Sequence, residues 1–228
     1  METVGARLGV LGGTFDPIHR GHLAMARAAR AAHGLPLVLL VPAATPPHKR
    51  GDLTAVEHRL AMARIAATGE KGIEVSDIEV RRGGISYTVD TLAELAGDRP
   101  RVELFFVIGE DTIPELPYWK DAARILALAR VVAVNRPGHH RSFEAALFPG
   151  VPASTLARCE GDRVTMEPAP IASRDVRRAI AAGEPFDHWL PAGVGEYIRR
   201  HRLYGYPGTG TGTGPGAATT SEGQGGNQ

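Results

Sequence analysis

The sequence predicts an α/β protein: an open, doubly wound, mostly parallel sheet with helices on both faces. Three observations lead there. Short apolar runs alternate with helical patterns from residue 7 to residue 135, the order expected of successive βαβ units. The first run ends in a glycine pair, with an Ala-rich helical stretch soon after it. The run VELFFVI at 102–108 is rich in aromatic and β-branched residues and suits a buried strand.

Taken in order, residues 1–6 are a lead-in to the strand RLGVL at 7–11. Gly12 and Gly13 follow, where a chain leaving a strand must turn sharply or let its backbone approach a ligand. Pro17 keeps a helix from starting too early, and residues 21–33 are strongly helical. LVLLV at 37–41 is a second strand, which completes a right-handed βαβ unit with parallel strands. Residues 42–54, PAATPPHKRGDLT, are too rich in proline for regular structure and long enough to be functional.

Residues 55–67 read as a helix with an apolar stripe at Val56, Leu60, Ala63 and Ala67. IEVSDIEV at 73–80 alternates and reads as a strand interrupted by a turn. SYTVDTLAEL at 86–95 reads as a helix capped by Ser86 or Thr88. After the strand at 102–108 come Gly109, Glu110 and Asp111, then a helix at 122–128 and a strand at 131–135. Residues 136–161 hold two Pro-Gly steps and a short helical pattern at 142–147. A last strand is expected at 164–166, then a small C-terminal helical part, about 171–204, with helices at 173–181 and 194–202. The main unit thus spans 1–206. The tail at 207–228 has no apolar residue larger than alanine, so it cannot bury enough surface to offset the entropy of ordering and is expected to be disordered.

Composition narrows the class. At 228 residues, with 43% hydrophobic and 22% charged, the chain has an ordinary soluble balance and enough length for one sizeable core. A formal charge of +1 gives no reason to expect nucleic acid as a partner. The single cysteine, Cys159, excludes an intramolecular disulfide and any cysteine-based zinc cluster. No secretory start and no run of 18 apolar residues is present, so a cytoplasmic protein without membrane contact is expected. The sequence leaves homo-oligomerisation open.

The chemistry centres on residues 9–22, GVLGGTFDPIHRGH. A strand, a glycine turn and a helix N-terminus in that order form an anion cradle, because unpaired backbone N–H groups point at whatever sits there. His19 and His22 are three apart, so a helix starting near His19 projects both from one side of its first turn. A zinc reading of the pair lacks a third ligand at sensible spacing. In a sheet of strand order 3-2-1-4-5 the ligand crevice opens between the strands ending at Leu11 and Ile108. That sets the two imidazoles beside Gly109 and Asp111.

GGTFDPIHRGH resembles the H-x-G-H motif of the nucleotidylyltransferases and, over its full length, that of the bacterial nicotinate-nucleotide adenylyltransferases. PPHK at 46–49 is similar to that family's proline-rich loop, SYTVDTL at 86–92 to its nicotinate-pocket segment, and GEDTIPELPYW at 109–119 to its G-A-D…L-P-x-W run. VNRPG at 134–138 and LPAGVGEYIRRHRLY at 190–204 extend the likeness over nearly the whole chain to Tyr204.

The resemblance implies a Rossmann-like nucleotidyltransferase fold. It also implies adenylyl transfer from ATP to nicotinate mononucleotide, yielding nicotinate adenine dinucleotide and pyrophosphate in NAD biosynthesis. The residues it implies for ATP are Gly12, Gly13, Phe15, His19, His22, Gly109, Asp111, Ser173 and Arg177, with His19, His22 and Arg177 catalytic. Those it implies for the mononucleotide are Thr14, Phe15, Lys49, Tyr87, Thr88, Trp119 and Arg136. Either Trp119 or Tyr87 stacks on the pyridine ring.

No protein-held metal is expected. Mg²⁺ is expected to arrive with ATP, held by phosphate oxygens and water. IASRDVR at 171–177 departs from the family's I-S-S-T-x-x-R: Ala172 replaces a serine and Arg174 a threonine, while Glu110 stands where the family has alanine. Competing readings are another adenylyl or cytidylyl transfer, for instance to phosphopantetheine, and a non-catalytic nucleotide sensor.

Overall fold

The computed structural model describes residues 6–47, 51, 53–135, 141–167 and 171–207. Six parallel strands form one sheet in the order β3-β2-β1-β4-β5-β6. The strands are β1 (Ala6–Gly13), β2 (Leu37–Pro42), β3 (Ile73–Val75), β4 (Val102–Gly109), β5 (Ala129–Asn135) and β6 (Val164–Thr165). The chain works outward from β1 to β3, then returns to lay β4 against the other side of β1. That reversal is the crevice expected between the strands ending near Leu11 and Ile108.

Every central strand is buried on both sides, and its period of two sorts its side chains between two cores. Along β4, Phe105 and Val107 face one core while Leu104, Phe106 and Ile108 face the other. Val38 and Leu40 of β2 join the first, and Leu39 and Val41 the second. The first core is covered by α1 (Arg20–Ala32), α2 (Val56–Ala67), α7 (Ser173–Ala182) and α8 (Val194–Arg200). The second is covered by α3 (Ile78–Arg82), α4 (Thr88–Asp98), α5 (Ala122–Leu128) and α6 (Ala153–Gly161). The C-terminal helices α7 and α8 therefore pack on the sheet itself, through Val176, Ile180, Val194 and Ile198.

Four local expectations are corrected. The second half of 73–80 is the helix α3, because the chain turns at Ser76 and Asp77 and then buries Ile78 and Glu79 together. Neither Ser86 nor Thr88 caps α4: Tyr87 holds the N-cap position, and the Ser86 hydroxyl accepts instead from the Ala44 N–H at 2.8 Å. The helix α6, which the Pro-Gly step before it disguises, starts directly after Pro152, a position where a missing N–H costs a helix nothing. The pattern at 142–147 shrinks to one 3₁₀ turn, Ala145–Leu147. Cys159 lies on the inner face of α6, and burial pushes its thiol pKa up, as suits a passive core thiol. The tail from 208 onward lies outside the described residues. Among the described residues no helix is long and apolar enough to cross a membrane.

Candidate active site

The site is built on the connection from β1 to α1. Strand pairing continues through both glycines, with Gly12 opposite Val41 and Gly13 opposite Pro42, so the turn comes later than the glycine pair suggests. It falls at Thr14 to Ile18, with Phe15 in the left-handed region at φ 49°. A bulky residue there costs about 1–3 kcal/mol and persists only where its surroundings dictate it. The role of Gly13 is room: a Cβ on it would meet the Phe15 ring at 2.7 Å. Gly12 is exposed at the strand end.

Four side chains from distant parts of the chain dictate that turn. Arg59 of α2 donates to the Thr14 carbonyl at 2.8 Å. Arg177 of α7 donates to the Asp16 carbonyl at 2.6 Å, and the Ser173 hydroxyl to the Pro17 carbonyl at 3.0 Å. The Tyr204 hydroxyl donates to the buried Asp16 carboxylate at 2.8 Å. Burial, reinforced by the Asp16 charge, pushes the Tyr204 phenol well above its ordinary pKa, so it remains a donor across the physiological range. Two of the four, Ser173 and Arg177, are predicted site residues. Sequence reasoning missed Arg59, Asp16 and Tyr204.

His19 is the N-cap residue of α1 and His22 its third residue. Their rings stack with centroids 3.7 Å apart and planes 23° from parallel. The edge of the pair packs on Phe15, whose ring meets His22 at 5.0 Å and 88°. The His19 N–H donates to His22 Nδ1 at 3.2 Å. A neutral imidazole that accepts on Nδ1 carries its proton on Nε2, so His22 presents an N–H donor from its far side. His19 is 6% exposed and His22 is half-buried.

Across the switch point, β4 ends at Gly109 and a 3₁₀ turn carries Glu110 to Thr112. A Cβ on Gly109 would run into the Asp111 carboxylate on one side, with Met25 of α1 at 3.8 Å on another. The end of β4 thus lies against the helix that begins with the histidines. Asp111 is exposed. Glu110 turns inward, 4% exposed, and accepts from the Arg141 N–H at 2.8 Å and from the Arg163 guanidinium.

On the other core's side, Gly12 and Thr88 line one small cleft with Glu79, Thr91 and Phe106. The Thr91 hydroxyl donates to the buried Glu79 carboxylate at 2.6 Å and accepts from Arg82 at 2.8 Å. Tyr87 carries the Lys120 ammonium over its ring at 4.4 Å. Trp119 is half-buried against Phe106, centroids 6.1 Å apart. The structure therefore brings Thr88 to the cleft and leaves Tyr87 and Trp119 at the second core's edge. Lys49 and Arg136 lie outside the described residues.

A parallel sheet with a histidine pair at the first strand-to-helix turn defines a nucleotide-transferring enzyme of the doubly wound class. The cytidylyltransferase-like family matches residues 10–179. A protein of Thermomicrobium roseum, described as a probable nicotinate-nucleotide adenylyltransferase, is 42% identical over 87% of this chain and 92% of its own length. One from Roseiflexus with the same description is 44% identical over 87% of this chain and 98% of its own. The chain belongs to the nicotinate-nucleotide adenylyltransferases. In fold it matches the Plasmodium falciparum nicotinic acid mononucleotide adenylyltransferase complexed with NaAD, at a TM-score of 0.69 and 18% identity over 89% of this chain and 98% of that one.

Proposed function

We propose that the chain transfers the adenylyl group of ATP to nicotinate mononucleotide, releasing pyrophosphate and giving nicotinate adenine dinucleotide. The observation that carries the reading is the stacked His19–His22 pair at the N-terminus of α1, at the sheet's switch point. The attacking atom is a mononucleotide phosphate oxygen, already ionised at neutral pH. It forms a bond to the α-phosphorus as the α–β bridging bond breaks and its electrons leave with pyrophosphate. Neither partner needs a strong acid, a strong base or a covalent enzyme intermediate. The work is to hold two polyanions in line and to offset charge building on the α-phosphate.

The histidines and the positive end of the α1 dipole supply that offset. Arg177, fixed by its bond to the Asp16 carbonyl, and Ser173 at the start of α7 hold the β/γ side, with Gly12, Gly13, Gly109 and Asp111 shaping the nucleotide crevice. The backbone at Thr14 and Phe15 takes the mononucleotide together with Tyr87, Thr88 and Trp119, and Lys49 and Arg136 complete that set. No group of three or more His, Cys, Asp or Glu able to hold a metal occurs among the described residues. The exposed Asp111 beside the triphosphate suits Mg²⁺ that is carried by phosphate oxygens and water. Such an ion would neutralise phosphate charge.

The deciding assay measures pyrophosphate release from ATP with nicotinate mononucleotide, nicotinamide mononucleotide and phosphopantetheine as separate acceptors. Release chiefly with nicotinate mononucleotide is expected. Binding of ATP with no release from any acceptor would instead make the protein a nucleotide sensor. Arg174 is exposed on the first turn of α7, where an added guanidinium can reach the triphosphate. An exposed charge contact is worth up to about 1 kcal/mol, so Arg174→Thr is expected to raise the KM for ATP by about two- to fivefold. An unchanged KM dismisses the contact.

A further inference from the structure

Arg59 is the largest fully buried side chain of the molecule's described residues, 1% exposed, and its charge meets no carboxylate at ion-pair distance in the described residues. Instead the guanidinium donates to four backbone carbonyls: Thr54 at 2.8 Å, Thr14 at 2.8 Å, Ala43 at 2.6 Å and Ala44 at 3.0 Å. Thr14 belongs to the turn that presents the histidines. Ala43, Ala44 and Thr54 belong to the connection between β2 and α2, which holds the proline-rich run. A single planar fork therefore spans the two segments that border the crevice, a geometry the five rigid donors of arginine allow.

We infer that Arg59 is a positioning residue, which sets the two crevice segments at a fixed separation and aims the Phe15 N–H of the histidine turn at the anionic substrates. The peptide bond makes the argument specific. The Thr14–Phe15 peptide is planar and trans, so holding the Thr14 carbonyl on one side turns the Phe15 N–H to the opposite side. The Ala43 carbonyl and the Ala44 N–H share one peptide in the same way, and that N–H is taken by the Ser86 hydroxyl at 2.8 Å. Ser86 directly precedes Tyr87 and Thr88, so the chain of contacts runs from the histidine turn through Arg59 to the start of α4. A cation bonded to a carbonyl also polarises the peptide behind it, which strengthens the N–H on the far side as a donor.

The inference rests on the proposed adenylyl transfer, and the test keeps the two apart. The parent protein, Arg59→Met and Arg59→Lys are assayed for kcat and for the KM of ATP and of nicotinate mononucleotide, with thermal unfolding measured on each. A parent that makes no dinucleotide overturns the function and leaves nothing for Arg59 to position. With an active parent, Arg59→Met is expected to lower kcat by about tenfold to 10²-fold, the scale of a small misplacement of reacting groups, in a protein still folded at the assay temperature. Arg59→Lys keeps the charge but not the fork. It should recover only part of kcat while restoring much of the unfolding temperature. Parent values of kcat and both KM in folded Arg59→Met would reduce Arg59 to a stabilising contact. Should Arg59→Met fail to fold, parent kinetics in Arg59→Lys would overturn the positioning role just as directly, and a lowered kcat would support it.

Discussion

Replacing His19 or His22 with alanine is expected to lower kcat by about 10²–10³, the usual cost of one donor aimed at developing negative charge. The KM for ATP should move far less, because the charge that these groups answer grows on the α-phosphate only as the bond breaks. The geometry adds that the two substitutions will not combine as independent losses. His22 Nδ1 holds the His19 N–H at 3.2 Å, and the rings stack at 3.7 Å. His22→Ala therefore also frees the His19 backbone and removes the ring that Phe15 packs against. The double variant should fall well short of the product of the single effects, as expected of groups that act as a unit. Single-turnover measurement of dinucleotide formation with each variant checks both points. A drop of only about twofold in both single variants would take the imidazoles out of the chemistry.

The histidine pair was legible in the sequence because its signal is local. Spacing of three and a helix start are enough to put two rings on one side of a turn. The structure adds that His19 is the cap, that the rings stack and that His22 Nδ1 accepts from the His19 N–H. The strands were legible for a similar reason: VELFFVI reads as a doubly buried strand whatever surrounds it, and it is β4. The supports of the turn were not legible. Tyr204 reaches Asp16 across almost the whole chain, and neither residue carries a pattern that announces the other. Arg59 did leave a trace. It lies on the inward face of α2 with Leu60 and Ala63, where a charge demands partners, but no local rule says that those partners are backbone carbonyls of two separate loops. Burial pulls its pKa below the ordinary arginine value while the Asp16 charge pushes it back up, a balance set by tertiary structure alone. The error at 73–80 has the opposite origin. Alternation over a few residues fits a strand, yet the step from Val75 to Ile78 already has helical spacing.

Glu110 shows how one departure from the family pattern obliges another part of the chain to answer. Where the family resemblance places alanine, this chain buries a carboxylate beside the crevice, and Arg163, just before β6, meets it. Arg163 also holds Glu160 and the Arg141 carbonyl, and Glu160 accepts from the Phe143 N–H at 2.6 Å. The network thus ties the end of β4 to residues 141–143 and to the end of α6. Removing one member of a buried pair leaves the other desolvated without its partner, which costs about 3–5 kcal/mol. Glu110→Ala is expected near the lower end of that range, about 3 kcal/mol, because Arg163 keeps Glu160; Arg163→Met, which strands the inward carboxylate, should cost more. The double variant Glu110→Ala with Arg163→Met should recover part of the loss, since it leaves no stranded charge at position 110, although alanine does not fill the volume of the glutamate. Urea unfolding of the four proteins, compared at constant m, gives the coupling directly. Losses below about 1 kcal/mol that simply add would mean that the two charges are solvated independently. Turnover should change far less than stability in the double variant, because Gly109 and Asp111, on either side of Glu110, keep their backbone.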